Sequence, residues 1–501
     1  MIEVDGRLSL DALAAVARRN EPVRLAYPAR AAMERSRAWV ASMLHADQAI
    51  YGVNTGFGSL ARVRIPPQDS ALLSTNLIRS HAAGVGPPCP TEVVRAMILL
   101  RANALGRGAS GCRVELVDTL LSMLNRKVTP VVPQQGSCGS SGDLAPLSHL
   151  GLVVFGEGGE AWFEGIRQPG PAAMERANIA TLRCQAKDGL AMTNGAQLTT
   201  AIAALAMIDA EALVAAAEAA AAMSIEALRG VTRAFHPAVH ALRPHPGAIE
   251  SARRLRSLLA GSTLVDSIPG KVQDAYSLRC TPVVLGACRD ALRYGRSVVE
   301  VELNAVTDNP VILMDEPGFD HAFSAGLFHG EPVGIAADSA KIAVAEIANL
   351  SERRLYRLTT GSLSARLPPA LSGLDRPSLG MLVPQAAAAA LVSENKALAW
   401  PASVDSIPTC EDQEDHVAMS TTAAWRLREV IANSRRVVAI ELLCAAAGLR
   451  LRLQEEPHAR TGAAATALLP QIEALIEGCE VPSEQIEAVA EAMGSGVLEI
   501  P

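Results

Sequence analysis

A run of small residues at positions 136–150 is the stretch of this sequence best suited to unusual chemistry. It reads GSCGSSGDLAPLSHL and centres on the tripeptide Ser140-Ser141-Gly142. Because its side chains are so small, the backbone can turn tightly enough for the Gly142 nitrogen to attack the Ser140 carbonyl carbon. Loss of one water closes a five-membered ring, and loss of a second, from Ser141, leaves an exocyclic methylene. The product is an electrophile that no standard side chain supplies. A Gly/Ser run alone is more often a flexible loop than a cofactor precursor, so the other motifs must decide between these two interpretations.

Candidate binding and proton-transfer groups recur along the first half of the chain. Tyr51 opens YGVNTGFGSL, which we expect to be a loop because it is rich in glycine, and there Tyr51 could simply anchor a turn. His81 falls at the end of a predicted helix, where a capping or surface role is the simpler interpretation. Asn194 starts a long alanine-rich helical pattern and could be its N-terminal cap.

The second half adds a possible carboxylate-binding group. Gln273, Tyr276 and Arg279 recur at three-residue intervals, which predicts one face of a helical turn. A guanidinium such as that of Arg279 can grip a carboxylate with two parallel hydrogen bonds. Phe328 lies in GLFHGEP, and Glu414 lies in an acidic stretch that alone would indicate a solvated loop. His236 and His240 have helical metal-ligand spacing but no third ligand, so no metal site is predicted.

Taken in order, these motifs resemble those of the histidine and aromatic amino-acid ammonia-lyases, and the resemblance spans nearly the whole chain. In that family a tripeptide, usually Ala-Ser-Gly, forms the prosthetic group 4-methylideneimidazol-5-one (MIO) autocatalytically. The resemblance implies MIO from Ser140, Ser141 and Gly142, with no metal or nucleotide. This chain departs from the family at Ser140, at Leu327 and at the triplet 410–412, which reads CED.

The resemblance also implies roles for the residues already singled out. Ser141 supplies the electrophilic methylene, and Tyr51 is the first candidate to accept the substrate's β-proton, with two alternatives, Tyr276 and Glu414. The implied substrate-binding residues are His81 and Glu414 for a polar ring, Asn194 and Arg279 for the carboxylate, Gln273 and Tyr276 along the pocket, and Phe328 against the MIO ring.

A glutamate at position 414, where tyrosine- and phenylalanine-specific members usually carry an amide, favours L-histidine as substrate and trans-urocanate as product. Three alternatives stay open. One is a lyase for tyrosine or another aromatic amino acid, and another is a 2,3-aminomutase that returns ammonia to the β carbon. The third is a relative without catalysis or without MIO, because Ser140 spoils cyclisation.

Composition predicts a mainly α-helical protein. Of 501 residues 49% are hydrophobic, 19% charged and 3% aromatic, which is typical of closely packed helices with small contact residues. The resemblance implies long antiparallel helices, which we expect as an elongated bundle (191–501) after a mixed, loop-rich N-terminal domain (1–190) that carries the tripeptide. The resemblance adds a homotetramer with shared active sites.

Charge, cysteine usage and the N-terminus predict where the protein works. A net charge of −7 without a basic patch argues against nucleic acid as a partner. Nine cysteines without a CxxC pair indicate reduced thiols in the cytoplasm. The acidic N-terminus is unlike a signal peptide, and the uncharged stretch 189–208 contains Asn194 and Gln197, so no membrane span is predicted.

Overall fold

A computed structural model describes residues 1–44, 46–56, 58, 61–316, 321–372 and 379–501. The chain forms two compact units, each assembled from separated segments. The first comprises Met1–Leu205, Arg296–Ala337 and Pro401–Trp425, and the second comprises Ala206–Gly295, Asp338–Trp400 and Arg426–Pro501. The predicted domain boundary between residues 190 and 191 stays a prediction. The two compact units are a different division, because segments of one alternate with segments of the other along the chain.

The first unit is mainly helical, as predicted. Its helices begin with α1 (Leu10–Arg19), α2 (Tyr27–Met43), α3 (Ser70–His81) and α4 (Thr91–Gly106), and continue with α5 (Val114–Asn125), α6 (Leu144–Val154), α7 (Gly170–Arg176) and α8 (Asp188–Thr193). Helix α4 forms its centre: every residue from Val93 to Gly106 is buried, and α1, α2 and α5 pack around it. Helices α4 and α5 are separated around Gly108, whose φ is +73° and where a Cβ would collide with the Ala32 carbonyl.

Short strands accompany these helices. Strand β1 (Ile2–Val4) pairs in parallel with β2 (Val23–Leu25), and β3 (Val85–Pro88) pairs antiparallel with β5 (Pro133–Gln135). Strands β4 (Thr129–Pro130), β6 (Glu160–Phe163) and β7 (Ile166–Pro169) form an antiparallel sheet, and β8 (Val311–Ile312) pairs with β9 (Ala322–Phe323). Strands β6 and β7 are joined as a hairpin.

Four longer helices each contribute residues to both units. They are α9 (Gln197–Ala227), α13 (Thr281–Glu302), α14 (Glu331–Thr359) and α16 (Ser420–Glu455). The second unit also contains α10 (Pro237–Ala241), α11 (Pro246–Leu258), α12 (Tyr276–Arg279), α15 (Leu382–Leu398), α17 (Ala463–Ile476) and α18 (Pro482–Ser495). Among the described residues, α9 alone is long and apolar enough to cross a membrane, and 72% of its most apolar window is buried, as in a core helix.

Candidate active site

The tripeptide lies in the loop between β5 and α6, where it is held against Gly195. Gly142 has a φ of +72°, and a Cβ atom there would lie 2.2 Å from the Gly195 carbonyl carbon. The Asp143 amide donates to the Gly195 oxygen at 2.7 Å. Only glycine fits position 142, because any side chain would collide with backbone and would also require a disfavoured left-handed conformation.

Asp143, the residue after the tripeptide, is fully buried and fixes this loop to two helices. Its carboxylate accepts hydrogen bonds from Ser137 Oγ (2.7 Å), Thr199 N and Oγ1 (both 2.8 Å) and Thr421 Oγ1 (3.0 Å). Burial raises the pKa of Asp143, although these hydrogen bonds oppose it. Sequence analysis missed this role, for which the only signal was an acidic residue directly before an apolar helix.

Glu414 contacts both serines of the tripeptide. Its Oε1 accepts from Ser141 Oγ at 2.5 Å, and its Oε2 accepts from Ser140 Oγ at 2.9 Å and from Thr409 Oγ1 at 2.5 Å. The Cys410 thiol also hydrogen-bonds to the carboxylate. Burial would raise the pKa of Glu414, but the side-chain hydrogen bonds outweigh it, and the pKa lies below its usual value. Glu414 is therefore ionised at neutral pH.

A left-handed turn presents Glu414 to the tripeptide. Cys410, Glu411 and Asp412 have φ values of +51°, +54° and +61°. This turn joins Thr409 to Glu414, whose backbones pair in an antiparallel bridge. The triplet 410–412, where this chain differs from the family, thus shapes the loop that carries the carboxylate. Nothing in the structure explains the difference at Leu327.

Tyr51 and His81 are held in their neutral forms. The Gly58 amide donates to the Tyr51 hydroxyl at 3.2 Å. Burial, together with the negative charge of Glu414, raises the pKa of Tyr51 above 10.0. Burial lowers the pKa of His81 below 6.5. The Ser80 hydroxyl donates to the Leu77 carbonyl and lies 2.9 Å from His81 Nδ1. With Ser80 donating to Leu77, its oxygen can accept from Nδ1–H, and in that tautomer Nε2 is an acceptor.

Asn194 lies at the junction of α8 and α9, where it has one unsatisfied atom. Its Nδ2 donates to the Asn309 carbonyl at 3.2 Å, and its Oδ1 is buried without a hydrogen-bond partner among the described residues. Helix α9 begins at Gln197, so the alternative that Asn194 caps this helix is wrong. The buried Arg101 guanidinium fixes the junction through the Ala191 carbonyl (2.8 Å) and Gln197 Oε1 (2.9 Å).

These groups surround a cavity of about 870 Å³ in the first unit. The sequence-predicted residues that line it are Tyr51, His81, Ser140, Ser141, Asn194, Phe328 and Glu414. Gly142, the third residue of the tripeptide, packs against Gly195. A carboxylate bonded to both serine hydroxyls, a neutral phenol and a neutral imidazole thus line one cavity, which is the kind of site expected for acid–base chemistry on a polar substrate.

The remaining predicted residues lie in the second unit and are not part of this described lining. Tyr276 and Arg279 belong to the single turn α12, whereas Gln273 precedes it in an irregular segment. The prediction that all three share one helical face is therefore wrong for Gln273. The Arg279 guanidinium carbon lies 4.7 Å from the Tyr276 ring centroid, and its buried Nε has no hydrogen-bond partner among the described residues.

His329, Glu331 and His416 bring three possible metal ligands within 4.8 Å of one another. Their hydrogen bonds, however, do not favour a cation. The Glu331 amide donates to His329 Nδ1, which places the ring proton on Nε2, and Nε2 faces the His416 carbonyl at 3.3 Å. Both ring nitrogens of His329 therefore already have protein partners, and the rings of His329 and His416 stack with their centroids 5.3 Å apart.

Comparison with known proteins places this chain in one family. Residues 8–473 match the family described as aromatic amino acid lyase. A histidine ammonia-lyase from Gloeobacter violaceus is 48% identical over 496 residues, which cover 98% of this chain and 95% of the relative. The chain therefore belongs to the aromatic amino acid lyase family and is a carbon–nitrogen lyase.

Solved structures of the family share its fold. Histidine ammonia-lyase from Trypanosoma cruzi has a TM-score of 0.90 at 36% identity, covering 99% of this chain and 94% of that one. Tyrosine aminomutase from Streptomyces globisporus has a TM-score of 0.92 at 32% identity, covering 99% and 97%. The fold is thus shared by lyases and aminomutases, and the substrate must be argued from the site.

Proposed function

We propose that this enzyme eliminates ammonia from L-histidine to give trans-urocanate, as a histidine ammonia-lyase. The observation that carries the proposal is the ionised carboxylate of Glu414, hydrogen-bonded to Ser140 and Ser141 in a cavity that His81 also lines. The 48% identity to a histidine ammonia-lyase supports the same substrate.

The residues present fit an MIO group formed from Ser140, Ser141 and Gly142. Gly142 packs so closely on Gly195 that only glycine fits, and the buried Asn194 Oδ1 lacks a partner at the cavity wall. Once formed, this group supplies an electrophile that captures the substrate amine and improves it as a leaving group. Asn194 and Phe328 would hold it.

His81 and Glu414 would orient the substrate ring. Both offer acceptors, one at His81 Nε2 and one at the Glu414 carboxylate. An acceptor at either position suits the N–H of an imidazole, whereas the apolar ring of phenylalanine would leave both acceptors unpaired at a cost of about 1–3 kcal/mol each.

Tyr51 would accept the β-proton. This proton is barely acidic, so a strong base is needed, and a tyrosine whose pKa is raised gives a stronger base when ionised. The phenol must first lose its own proton, which makes the reaction faster at alkaline pH. Glu414 and Tyr276 are the alternatives.

The substrate carboxylate requires a positive partner from elsewhere. Among the described residues that line the cavity there is no lysine or arginine. Arg279, with its unsatisfied buried Nε, is a suitable group from a second copy of the chain. We therefore propose a homotetramer in which several subunits complete each site, with Gln273 and Tyr276 contributing alongside Arg279.

A panel of amino acids tests this function directly. Purified enzyme is offered L-histidine, L-tyrosine and L-phenylalanine, with product formation followed by ultraviolet absorbance and chromatography. We expect urocanate from histidine and no such product from the Ser141→Ala variant. Preferred turnover of tyrosine, or a β-amino acid as product, would contradict the proposal.

A further inference from the structure

The Ser140 side chain, at a position where related tripeptides usually carry alanine, bonds to the catalytic-site carboxylate. Ser140 is 5% exposed, and its hydroxyl donates to Glu414 Oε2 at 2.9 Å. Its oxygen also lies 3.5 Å from the Cys138 thiol, which donates to it. The hydroxyl is therefore oriented toward Glu414 by a donor on its other side.

Formation of the electrophile changes the donors around Glu414. The Gly142 nitrogen bonds to the Ser140 carbonyl carbon, and that carbonyl oxygen leaves as the first water. Ser141 then loses its α-hydrogen and its Oγ as the second. Glu414 Oε1 thereby loses the donor that binds it at 2.5 Å. Ser140 keeps its hydroxyl, because only its backbone carbonyl and α carbon enter the ring.

We propose that the Ser140 hydroxyl is a positioning group that holds Glu414 beside the tripeptide after the Ser141 hydroxyl has left. Together with Thr409, which donates to the same oxygen at 2.5 Å, it fixes Oε2. Oε1 then becomes available to accept from the ring N–H of the substrate. Only this last step, the hydrogen bond from the substrate ring to Oε1, rests on the proposed function.

Three titratable groups that respond to the charge of Glu414 come from different parts of the chain. Tyr51 follows α2, His81 ends α3 and Cys410 belongs to the loop of Glu414 itself, whereas Cys138 contacts Ser140. Tyr51 and His81 are neutral at neutral pH, and Glu414 forms no salt bridge among the residues that the structure describes, so hydrogen bonds from hydroxyls and a thiol keep the carboxylate ionised. Removing the Ser140 hydroxyl, one of the donors that remain after Ser141 has lost its own, should therefore raise the pKa of Glu414.

A titration of Glu414 tests this independently of maturation and substrate. The two full-length proteins compared are Ser141→Ala and Ser140→Ala/Ser141→Ala. For each, an infrared difference spectrum against the same protein with Glu414→Gln added reports the carboxyl stretch of Glu414 as the pH is lowered. We expect protonation at a higher pH in the double variant, and Ser140→Thr/Ser141→Ala should resemble Ser141→Ala because threonine keeps the hydroxyl. Identical titrations of the first two proteins would overturn the proposal.

Kinetics of the matured enzyme give the second readout. Ser140→Ala should still lose two waters by intact mass, yet show about tenfold lower kcat/KM for L-histidine, the effect of one hydrogen bond to a charged group. In a Glu414→Gln background the same change should have no further effect, whereas an equal loss there would count against the proposal. If wild-type enzyme does not use histidine while the titrations differ, the proposed function fails and the role of Ser140 stands.

Discussion

Glu414 accepts a 2.5 Å hydrogen bond from the Ser141 hydroxyl, although the two residues are 273 positions apart in the chain. Ser141 is the residue that must lose its hydroxyl, and Glu414 is the carboxylate that we expect to meet the substrate ring. Formation of the electrophile and recognition of the substrate therefore involve the same carboxylate, first bonded to Ser141 and then free to meet the substrate.

Substituting Gly142 should prevent maturation for steric reasons. A Cβ at this position would lie 2.2 Å from the Gly195 carbonyl carbon, and φ is +72°. We expect Gly142→Ala to retain its full mass and to be destabilised by more than about 2 kcal/mol, from overpacking and left-handed strain combined. Intact mass and melting temperature measure both effects.

Gly478→Ala is the matched control for that experiment. Its φ is +80°, but nothing lies within 4 Å of a Cβ there. It should show the conformational cost alone, about 1–2 kcal/mol, and mature normally. Normal maturation of Gly142→Ala, with a melting temperature equal to that of the control, would show that the contact with Gly195 is unimportant.

Glu414→Gln should change substrate preference. An amide cannot supply two acceptor oxygens to the ring and the tripeptide, so kcat/KM for L-histidine should fall about a hundredfold, or about 2.7 kcal/mol, while that for L-tyrosine falls less. The histidine-to-tyrosine ratio is the measurement. Glu411→Gln, an exposed neighbour on the same turn, should leave the ratio unchanged. An unaltered ratio in Glu414→Gln would remove this residue from ring recognition.

The pH dependence should identify Tyr51 as the base. Burial and the charge of Glu414 raise its pKa above 10.0, so the reactive phenolate forms only on the alkaline side. We expect kcat/KM to increase with pH beyond the usual range of tyrosine, and Tyr51→Phe to abolish that increase along with most activity. Tyr27→Phe, at a tyrosine that is 83% exposed, should behave as wild type. Persistence of the alkaline rise in Tyr51→Phe would point to Glu414 or Tyr276 instead.

Shared active sites predict complementation between two inactive variants. Arg279→Ala lacks the carboxylate partner, and Ser141→Ala lacks the electrophile. If one chain supplies Arg279 to the tripeptide of another, co-expressed variants should regain a fraction of wild-type activity, because mixed oligomers contain some sites with both residues intact. Each variant expressed alone is the control. Absence of any rescue in verified mixed oligomers would contradict a site built from several chains.

Local patterns in the sequence predicted the local structure well. The alanine-rich pattern that follows Asn194 forms the long helix α9. Such features depend on neighbouring residues, which sequence periodicity and capping preferences report directly.

Contacts between distant segments could not be predicted in this way. The approach of Gly195 to Gly142, the burial of Asp143 by Thr199 and Thr421, and the interleaved units all depend on tertiary packing. Gln273 shows the opposite error, because a three-residue spacing indicated a helical face where the helix begins only at Tyr276. Resemblance to a known family brought the distant residues together where physical pattern alone did not.

The central claim is that the tripeptide loses two waters to form the electrophile. It is tested most directly by the intact mass of the chain from enzyme that is converting histidine. We predict a mass lower by two waters than the sequence requires, with the loss confined on digestion to the peptide containing Ser140, Ser141 and Gly142. The full unmodified mass in a preparation that releases ammonia from histidine would contradict the account.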